Sequence, residues 1–144
     1  MGETMGVLKA FLNPEPIEQQ KSVIISSRFK GEDGKPVPFI IKSVSQDVST
    51  ALSKRTTTTK IVKGNAVKTS DTERFTAALL VECTIQPDFR DAELCKAYGC
   101  VDPLDVPGRM LTSGEYTKLA EEVMPLNGFA LDPVLEAEEE AKNS

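Results

Sequence analysis

The feature that most constrains the fold is a segment, from Phe75 to Ile85, that is apolar on almost every side. Written as a helix together with the two residues before it, the segment leaves only five polar residues as a polar strip: Glu73, Arg74, Thr76, Glu82 and Thr84. A helix that is hydrophobic nearly all round must be covered by other elements. The sequence therefore predicts a central, buried helix that Pro87 ends, with the rest of the chain packed around it.

Two capping boxes predict where helices begin. Ser70-Asp71-Thr72-Glu73 precedes the apolar segment, so Ser70 is the predicted N-cap and Glu73 its reciprocal partner. Thr112-Ser113-Gly114-Glu115 opens a second helix. Its apolar face consists of Tyr116, Leu119, Ala120 and Val123.

The end of this second helix has three signals. Pro125 should end or kink it, and Asn127-Gly128 offers a left-handed stop, followed by Phe129 as a hydrophobic latch. These signals predict that the folded chain closes near residue 129.

Three shorter helices are predicted elsewhere. Val7, Leu8, Phe11 and Leu12 form a stripe that Asn13-Pro14 stops. Ser45 should cap a helix that runs to about Arg55 and buries Val48, Ala51 and Leu52. Asp88 should cap a brief helix that ends at Gly99, and residues 100–111 should form an extended connection.

A β-hairpin is predicted between the first two helices. Residues 22–29 are rich in β-branched side chains, Gly31-Glu32-Asp33-Gly34 is a turn, and residues 37–44 form the second run. Pro36 and Pro38 lack amide hydrogens, so this second strand should either begin at a sheet edge or pair fully only after Pro38.

A basic segment lies between Lys54 and Lys68. It has five cationic residues and no acidic one, namely Lys54, Arg55, Lys60, Lys63 and Lys68. We predict a mobile loop over residues 56–69, in which Lys60-Ile61-Val62 could add a short strand. A phosphate-facing patch is the alternative, but the segment has no aromatic residue and the body is nearly neutral, which favours a solvated loop over nucleic-acid binding.

These elements predict the class and the domain organisation. The expected fold is α+β: a mainly α-helical small single domain with one β-hairpin, over residues 1–130. Residues 131–144 should be a flexible acidic tail, because five acidic residues and one lysine give them a net charge of −4. The 144 residues suffice for one hydrophobic core without metal or disulfide support.

The composition excludes several classes of function. The chain has no histidine, which removes Ser-His-Asp and Cys-His catalysis and every zinc site that needs histidine. No phosphate-binding glycine motif is present. The pairs Asp88 with Asp91 and Asp102 with Asp105 are expected to cap helices and solvate loops. We therefore predict no catalytic, cofactor-binding or metal-binding residues, and a protein that is not an enzyme.

The cysteines indicate the compartment. Cys83, Cys95 and Cys100 are odd in number and form no C-x-x-C pair, so they are expected to be buried apolar side chains in a reducing environment. No segment approaches the length of a membrane span and the start does not look like a signal peptide. A cytosolic protein is expected.

The order of these motifs resembles one known family. Phe11-Leu12-Asn13-Pro14, Asp33-Gly34-Lys35-Pro36-Val37-Pro38-Phe39 and Leu126-Asn127-Gly128-Phe129, with the acidic tail after them, are similar to the XkdN-like tail assembly chaperones of contractile-tailed phages and defective prophages. The likeness covers about residues 5 to 143. None of these motifs is catalytic.

The resemblance implies a role in building a viral tail. Such a chaperone binds the tape measure protein, and possibly the tail tube protein, before tube assembly; it acts in the host bacterial cytoplasm and is absent from the mature virion. Self-association is expected, since many copies must cover a long partner. Many such chaperones are also made in two lengths by a −1 frameshift, and codons for Ala141-Lys142-Asn143 can contain a slippery run.

Two other classes of function stay open on the sequence. The first is a structural component of the tail or baseplate, which would also be small, non-catalytic and α+β. The second is a nucleic-acid-binding regulator that uses residues 54–68.

Overall fold

Helix α3 (Thr72–Cys83) is the centre of the fold. The structure, a computed structural model, describes residues 2–129. Five residues of α3 are buried, which confirms that this helix is the most buried one: Ala78, Leu79, Leu80, Val81 and Cys83. The fold is α+β, as the sequence predicts.

The start of α3 is shifted by one residue from the prediction. Asp71 is the N-cap, and its side chain accepts a hydrogen bond from the Arg74 amide at 3.0 Å. Ser70 belongs instead to a strand and pairs with Thr57. The predicted Ser70–Glu73 capping box is therefore wrong, because the helix begins at Thr72 and the Asp71 carboxylate, not the Ser70 hydroxyl, accepts the hydrogen bond from its first turn.

Strand β5 (Thr84–Gln86) follows α3 directly, where the sequence predicts more helix. It pairs antiparallel with β2 (Phe39–Lys42), and β2 pairs on its other edge with β1 (Gln20–Val23). The edge of β2 has backbone N–H and C=O groups that need hydrogen-bond partners. Thr84–Gln86 supply these partners by pairing as a strand instead of continuing the helix. The result is a three-stranded sheet in the order β1-β2-β5.

The predicted pairing of the first two strands is correct, and β2 begins directly after Pro38 as expected. The first strand is earlier and shorter than predicted. Residues 24–38 connect β1 to β2 and contain a small turn, in which Lys30 bridges Pro36. Phe39 and Ile41 point into the core from the central strand.

Residues 57–70 form a second hairpin, not the predicted mobile loop. Strand β3 (Thr57–Val62) pairs along its length with β4 (Asn65–Ser70). The short strand predicted at Lys60–Val62 is thus part of a longer one. Local β-propensity of the threonines and the turn at Lys63-Gly64 are sufficient to build it.

Helix α2 (Gln46–Arg55) precedes this hairpin, with Ser45 at the N-cap position as predicted. The Ser45 side chain makes no capping hydrogen bond. Leu52 is buried and Val48 is half-buried, but Ala51 is exposed, so the predicted face is wrong at that residue.

Helix α4 (Ala92–Ala97) has Asp91 as its N-cap rather than the predicted Asp88. Asp91 accepts from the amides of Glu93 and Leu94, whereas Asp88 accepts from the Arg90 amide in the preceding turn. Gly99 has a φ of 65°, which confirms the left-handed residue predicted at the end of this helix.

Residues 100–111 are not an extended connection. They contain a 3₁₀ turn (Pro103–Asp105) and helix α5 (Val106–Met110). Asp102 caps the turn by accepting from the Leu104 amide, and the fixed φ of proline favours helix starts at these positions. Val106 and Met110 reach the core from this segment.

Helix α6 (Ser113–Leu126) confirms the second capping box in full. The Thr112 hydroxyl accepts from the Glu115 amide at 3.2 Å, and the Glu115 carboxylate accepts from the Thr112 amide at 2.9 Å. The helix continues past Pro125 to Leu126, so Pro125 does not end it. The predicted left-handed stop is confirmed: Gly128 has a φ of 79°, and the Phe129 amide donates to the Met124 carbonyl.

Helix α1 (Gly2–Leu12) confirms the N-terminal helix and its stop before Pro14. The predicted boundary between residues 1–130 and 131–144 stays a prediction, since the tail lies outside the described residues. No helix within residues 2–129 is long and apolar enough to cross a membrane.

Candidate partner-binding surfaces

The apolar face of α1 is uncovered. Phe11 is 76% exposed, and Leu12, Val7 and Leu8 are 66%, 61% and 53% exposed. At 100° per residue, the four side chains lie within one sector of about 140°. Every residue from 6 to 22 is exposed, so no part of the described chain packs over this stripe.

An isolated helix of this kind is unusual. Helices shorter than about 12 to 15 residues are marginal in water unless an apolar face packs on something, and α1 has 11 residues. Contiguous exposed apolar surface marks interaction sites in soluble proteins. The α1 stripe, meaning Val7, Leu8, Phe11 and Leu12, is therefore the strongest candidate for contact with another protein.

The β3–β4 hairpin is a second exposed element. Ile61, Val62 and Val67 are 80%, 50% and 42% exposed. The cross-strand pairs Lys60 with Val67 and Ile61 with Ala66 show that each face mixes small apolar patches with polar side chains. Lys60, Lys63 and Lys68, from the predicted basic segment, lie on this hairpin, and Lys54 and Arg55 end the neighbouring helix α2.

A groove of about 560 Å³ lies between the start of α3, the 3₁₀ turn and α6. Arg74 lines it and binds two carboxylates, those of Asp102 and Asp105, the latter at 3.0 Å. The hydrogen bond that Arg74 donates to Asp105, opposed by partial desolvation and aided by both negative charges, raises the pKa of Arg74. These ion pairs fix the 3₁₀ turn against α3.

The predicted carboxylate pairs thus have structural partners. Asp91 and Asp102 cap helical segments, Asp88 closes a turn, and Asp105 pairs with Arg74. This agrees with the expectation that they cap helices and solvate loops. Within residues 2–129, no group of three or more acidic or cysteine side chains could hold a metal ion.

The cysteines are free in the structure. Cys83 is buried in the core, and its sulfur accepts a hydrogen bond from the Asn127 Nδ2 at 3.6 Å. Burial raises the pKa of the Cys83 thiol to about 11, so the thiol is protonated at neutral pH and is a poor nucleophile. Cys95 and Cys100 are half-buried. The predicted burial of the cysteines is thus complete at Cys83 and partial at Cys95 and Cys100.

Two tertiary links escape the sequence patterns. Asn127, predicted only as a helix stop, accepts from the Val44 amide at 2.8 Å and donates to the Val123 carbonyl at 2.9 Å. Arg28 forms a two-point contact with Glu115 and donates to the Met110 carbonyl. A polar side chain in a turn is a sequence signal for such tertiary hydrogen bonds. The signal does not tell which residue is the partner.

Comparisons with known proteins identify the family. The family model for phage XkdN-like tail assembly chaperones matches residues 8–142. The phage-like element PBSX protein XkdN of Bacillus subtilis (strain 168) is 40% identical over 139 residues, which cover 94% of this chain and 93% of that protein. The protein YqbN of the same strain matches with the same identity and coverage.

A solved structure agrees with the fold. The crystal structure of YqbN superposes with a TM-score of 0.72 at 34% identity, and the match covers 84% of this chain and 96% of that one. The resemblance carried by Asp33–Phe39 and Leu126–Phe129 is confirmed by these matches. The chain belongs to the family of XkdN-like phage tail assembly chaperones.

Proposed function

We propose that this chaperone binds the cognate tape measure protein through the α1 stripe, and so promotes tail tube assembly. The observation that carries the proposal is the exposure of Val7, Leu8, Phe11 and Leu12 on one face of a helix that packs on no other described element. A long helical partner with apolar stripes of its own is the natural complement to such a face.

The size of α1 indicates how binding works. Eleven residues make a helix about 16 Å long, and the α1 stripe offers four large apolar side chains per copy. One such contact is weak, but many copies along one long partner would together cover its apolar surface. Self-association of the chaperone would strengthen this binding by raising the local concentration of α1. The tail tube protein is a second possible partner.

This role requires binding and no catalysis, so we propose that the chain is not an enzyme. It would act in the host bacterial cytoplasm and leave before the virion is complete. The alternative is a structural component of the tail or baseplate. Mass spectrometry of purified particles separates the two, because a structural component stays in the particle and a chaperone does not.

Co-expression with the tape measure protein tests the binding surface. A double variant, Leu8→Ser with Phe11→Ser, should reduce the soluble fraction of the tape measure protein to the level found without chaperone. The control is Ile61→Ser with Val67→Ser, which removes two exposed apolar side chains from the hairpin instead. Neither variant should alter the thermal unfolding of the chaperone, since all four side chains are exposed.

Two results would contradict the proposal. One is full solubility of the tape measure protein with the α1 double variant. The other is equal loss of solubility with both double variants, which would indicate that general surface apolarity, and not the α1 stripe, supports binding.

A further inference from the structure

The basic segment forms an exposed cationic surface with no counter-charge in the described part of the chain. Its five cations, Lys54, Arg55, Lys60, Lys63 and Lys68, are all exposed. None of them forms an ion pair within residues 2–129, whereas Arg28, Arg74 and Arg90 each bind a carboxylate.

The β3–β4 hairpin, which carries three of these cations, is exposed to solvent along almost its whole length. A two-stranded hairpin is only marginally stable by itself in water. Apart from Thr57, which is half-buried, every residue of both strands is exposed. This sheet has only two strands in the described part of the chain. Each strand therefore has one outer edge whose backbone groups have no neighbouring strand there.

The path of the chain brings Phe129, the last described residue, next to the base of the hairpin. The Phe129 ring packs edge-on against the Phe75 ring, with centroids 6.5 Å apart. Phe75 also lines a groove of about 380 Å³, together with Lys54, Thr56 and Ser70, at the base of the hairpin. The described chain therefore ends beside the α2–hairpin groove.

The residues beyond this point have the opposite charge. Five acidic residues and one lysine follow Phe129, in the order Asp132, Glu136, Glu138, Glu139, Glu140 and Lys142. Seven extended residues, from Phe129 to Glu136, span up to about 24 Å. The hairpin, with six residues in each strand, is about 20 Å long. The acidic cluster can therefore reach the lysines of its own chain.

We infer that residues 131–140 dock in cis on the face of the β3–β4 hairpin that carries Lys68 and Ser70, with Glu136 and Glu138–Glu140 facing Lys68 and the turn residue Lys63. A second copy of the hairpin is a poorer occupant, because two cationic ribbons repel each other. The tether raises the effective concentration of the acidic segment to the millimolar range, so individually weak ion pairs suffice. Docking screens the basic surface from other polyanions.

Backbone amide NMR of the full chain tests this docking. One variant replaces Glu136, Glu138, Glu139 and Glu140 with Gln. The matched control replaces Glu15, Glu32, Glu93 and Glu121 with Gln, which are exposed acidic residues elsewhere and give the same change in net charge. Docking predicts that the amide resonances of residues 60–68 shift in the tail variant and keep their wild-type positions in the control.

Salt and dilution give two further readouts. Raising the salt from about 0.05 M to about 0.5 M should move the wild-type hairpin resonances to the positions seen in the tail variant, because exposed ion pairs are screened. Dilution should change nothing, because the contact lies within one chain. Duplex DNA should shift the hairpin resonances less in the wild type than in the tail variant.

Three outcomes would overturn the inference. Hairpin resonances that are the same in the wild type and the tail variant would show that the acidic residues do not contact the hairpin. Shifts that weaken on dilution would assign the contact to a second copy. Equal shifts with DNA in both chains would identify the hairpin as a nucleic-acid surface that the tail does not cover.

Discussion

At the scale of single residues, Arg28 and Glu115 link the loop after β1 to the start of α6. Arg28 Nη2 lies 2.5 Å from one carboxylate oxygen of Glu115 and Arg28 Nε lies 3.0 Å from the other. The bond from Arg28, followed by those from Ser26 and the Thr112 amide, holds the pKa of Glu115 well below its usual range. Glu115 thus serves both the capping box and the loop contact.

This pair predicts a dependence of stability on pH. Because the pKa of Glu115 is lower in the folded chain, its contribution is complete above the unfolded value of about 4.3 and is lost as the pH falls below it. Glu115→Gln should lower Tm at pH 7. Under strongly acidic conditions, the difference in Tm between this variant and the wild type should become smaller. Thermal unfolding at several pH values measures this. Glu121→Gln, an exposed control, should show no such narrowing; an equal Tm deficit for Glu115→Gln at every pH would contradict the assignment.

The burial of α3 gives a prediction about the core. Leu79 is fully buried, so Leu79→Ala should destabilise the fold by about 2 to 5 kcal/mol. Phe75 is half-buried against Phe129, and Phe75→Ala should cost less than Leu79→Ala. Lys60→Ala and Lys63→Ala should leave the free energy of unfolding nearly unchanged. Urea titration compares the four variants, and equal costs at all four positions would mean that the core lies elsewhere.

At the scale of elements, the turn of the β3–β4 hairpin has an unfavourable residue. Lys63 has a φ of 52° and Gly64 a φ of 80°, so both central positions are left-handed. Two-residue hairpin turns with positive φ at both positions favour Asn-Gly. Lysine adopts this conformation at a cost of about 1 kcal/mol.

Replacing Lys63 with Asn should therefore stabilise the hairpin. Hydrogen exchange of the β3 and β4 amides should slow several-fold in Lys63→Asn and accelerate in Gly64→Ala. Because the hairpin is largely exposed, global unfolding should change little. Unchanged exchange in both variants would show that the hairpin opens by a route that does not involve its turn.

The elements differ in how far the sequence predicts them. The capping box at Thr112–Glu115 and the helix stop at Gly128 are formed by residues that are close in sequence. The local sequence pattern is therefore enough to predict them. Strand β5 does not follow from its own sequence, because the open edge of β2, more than forty residues away, decides its conformation. Of the candidate surfaces, the α1 stripe is visible as a pattern, but its exposure is known only from the structure.

At the scale of the whole molecule, the described residues already build a hydrophobic core among themselves. The buried set runs from Ile25 to Val123 and is centred on α3. Deleting residues 131–144 should therefore change Tm little, even if those residues dock on the exposed hairpin, because solvent-exposed ion pairs contribute little to stability. Calorimetry of the truncated chain measures this. A loss of cooperative unfolding would mean that Leu131, Val134 and Leu135 pack into the core.

Two exposed patches of the described chain have separate proposed roles. Helix α1 presents an apolar stripe at one end of the chain, and the hairpin presents a basic ribbon in its middle. We assign the first to the tape measure protein and the second to the acidic segment of the chain itself. The two assignments are independent, and each can fail alone.

Hydrogen exchange of the chaperone with and without the tape measure protein shows whether α1 is the binding element. In the free chain, the amides of residues 6–12 should exchange quickly, because a short helix without packed contacts opens readily. On binding, the account predicts strong slowing in residues 6–12 and little change in the amides of α3 and α6. Unchanged exchange in residues 6–12 together with new protection on another surface would contradict the claim that α1 is the binding element.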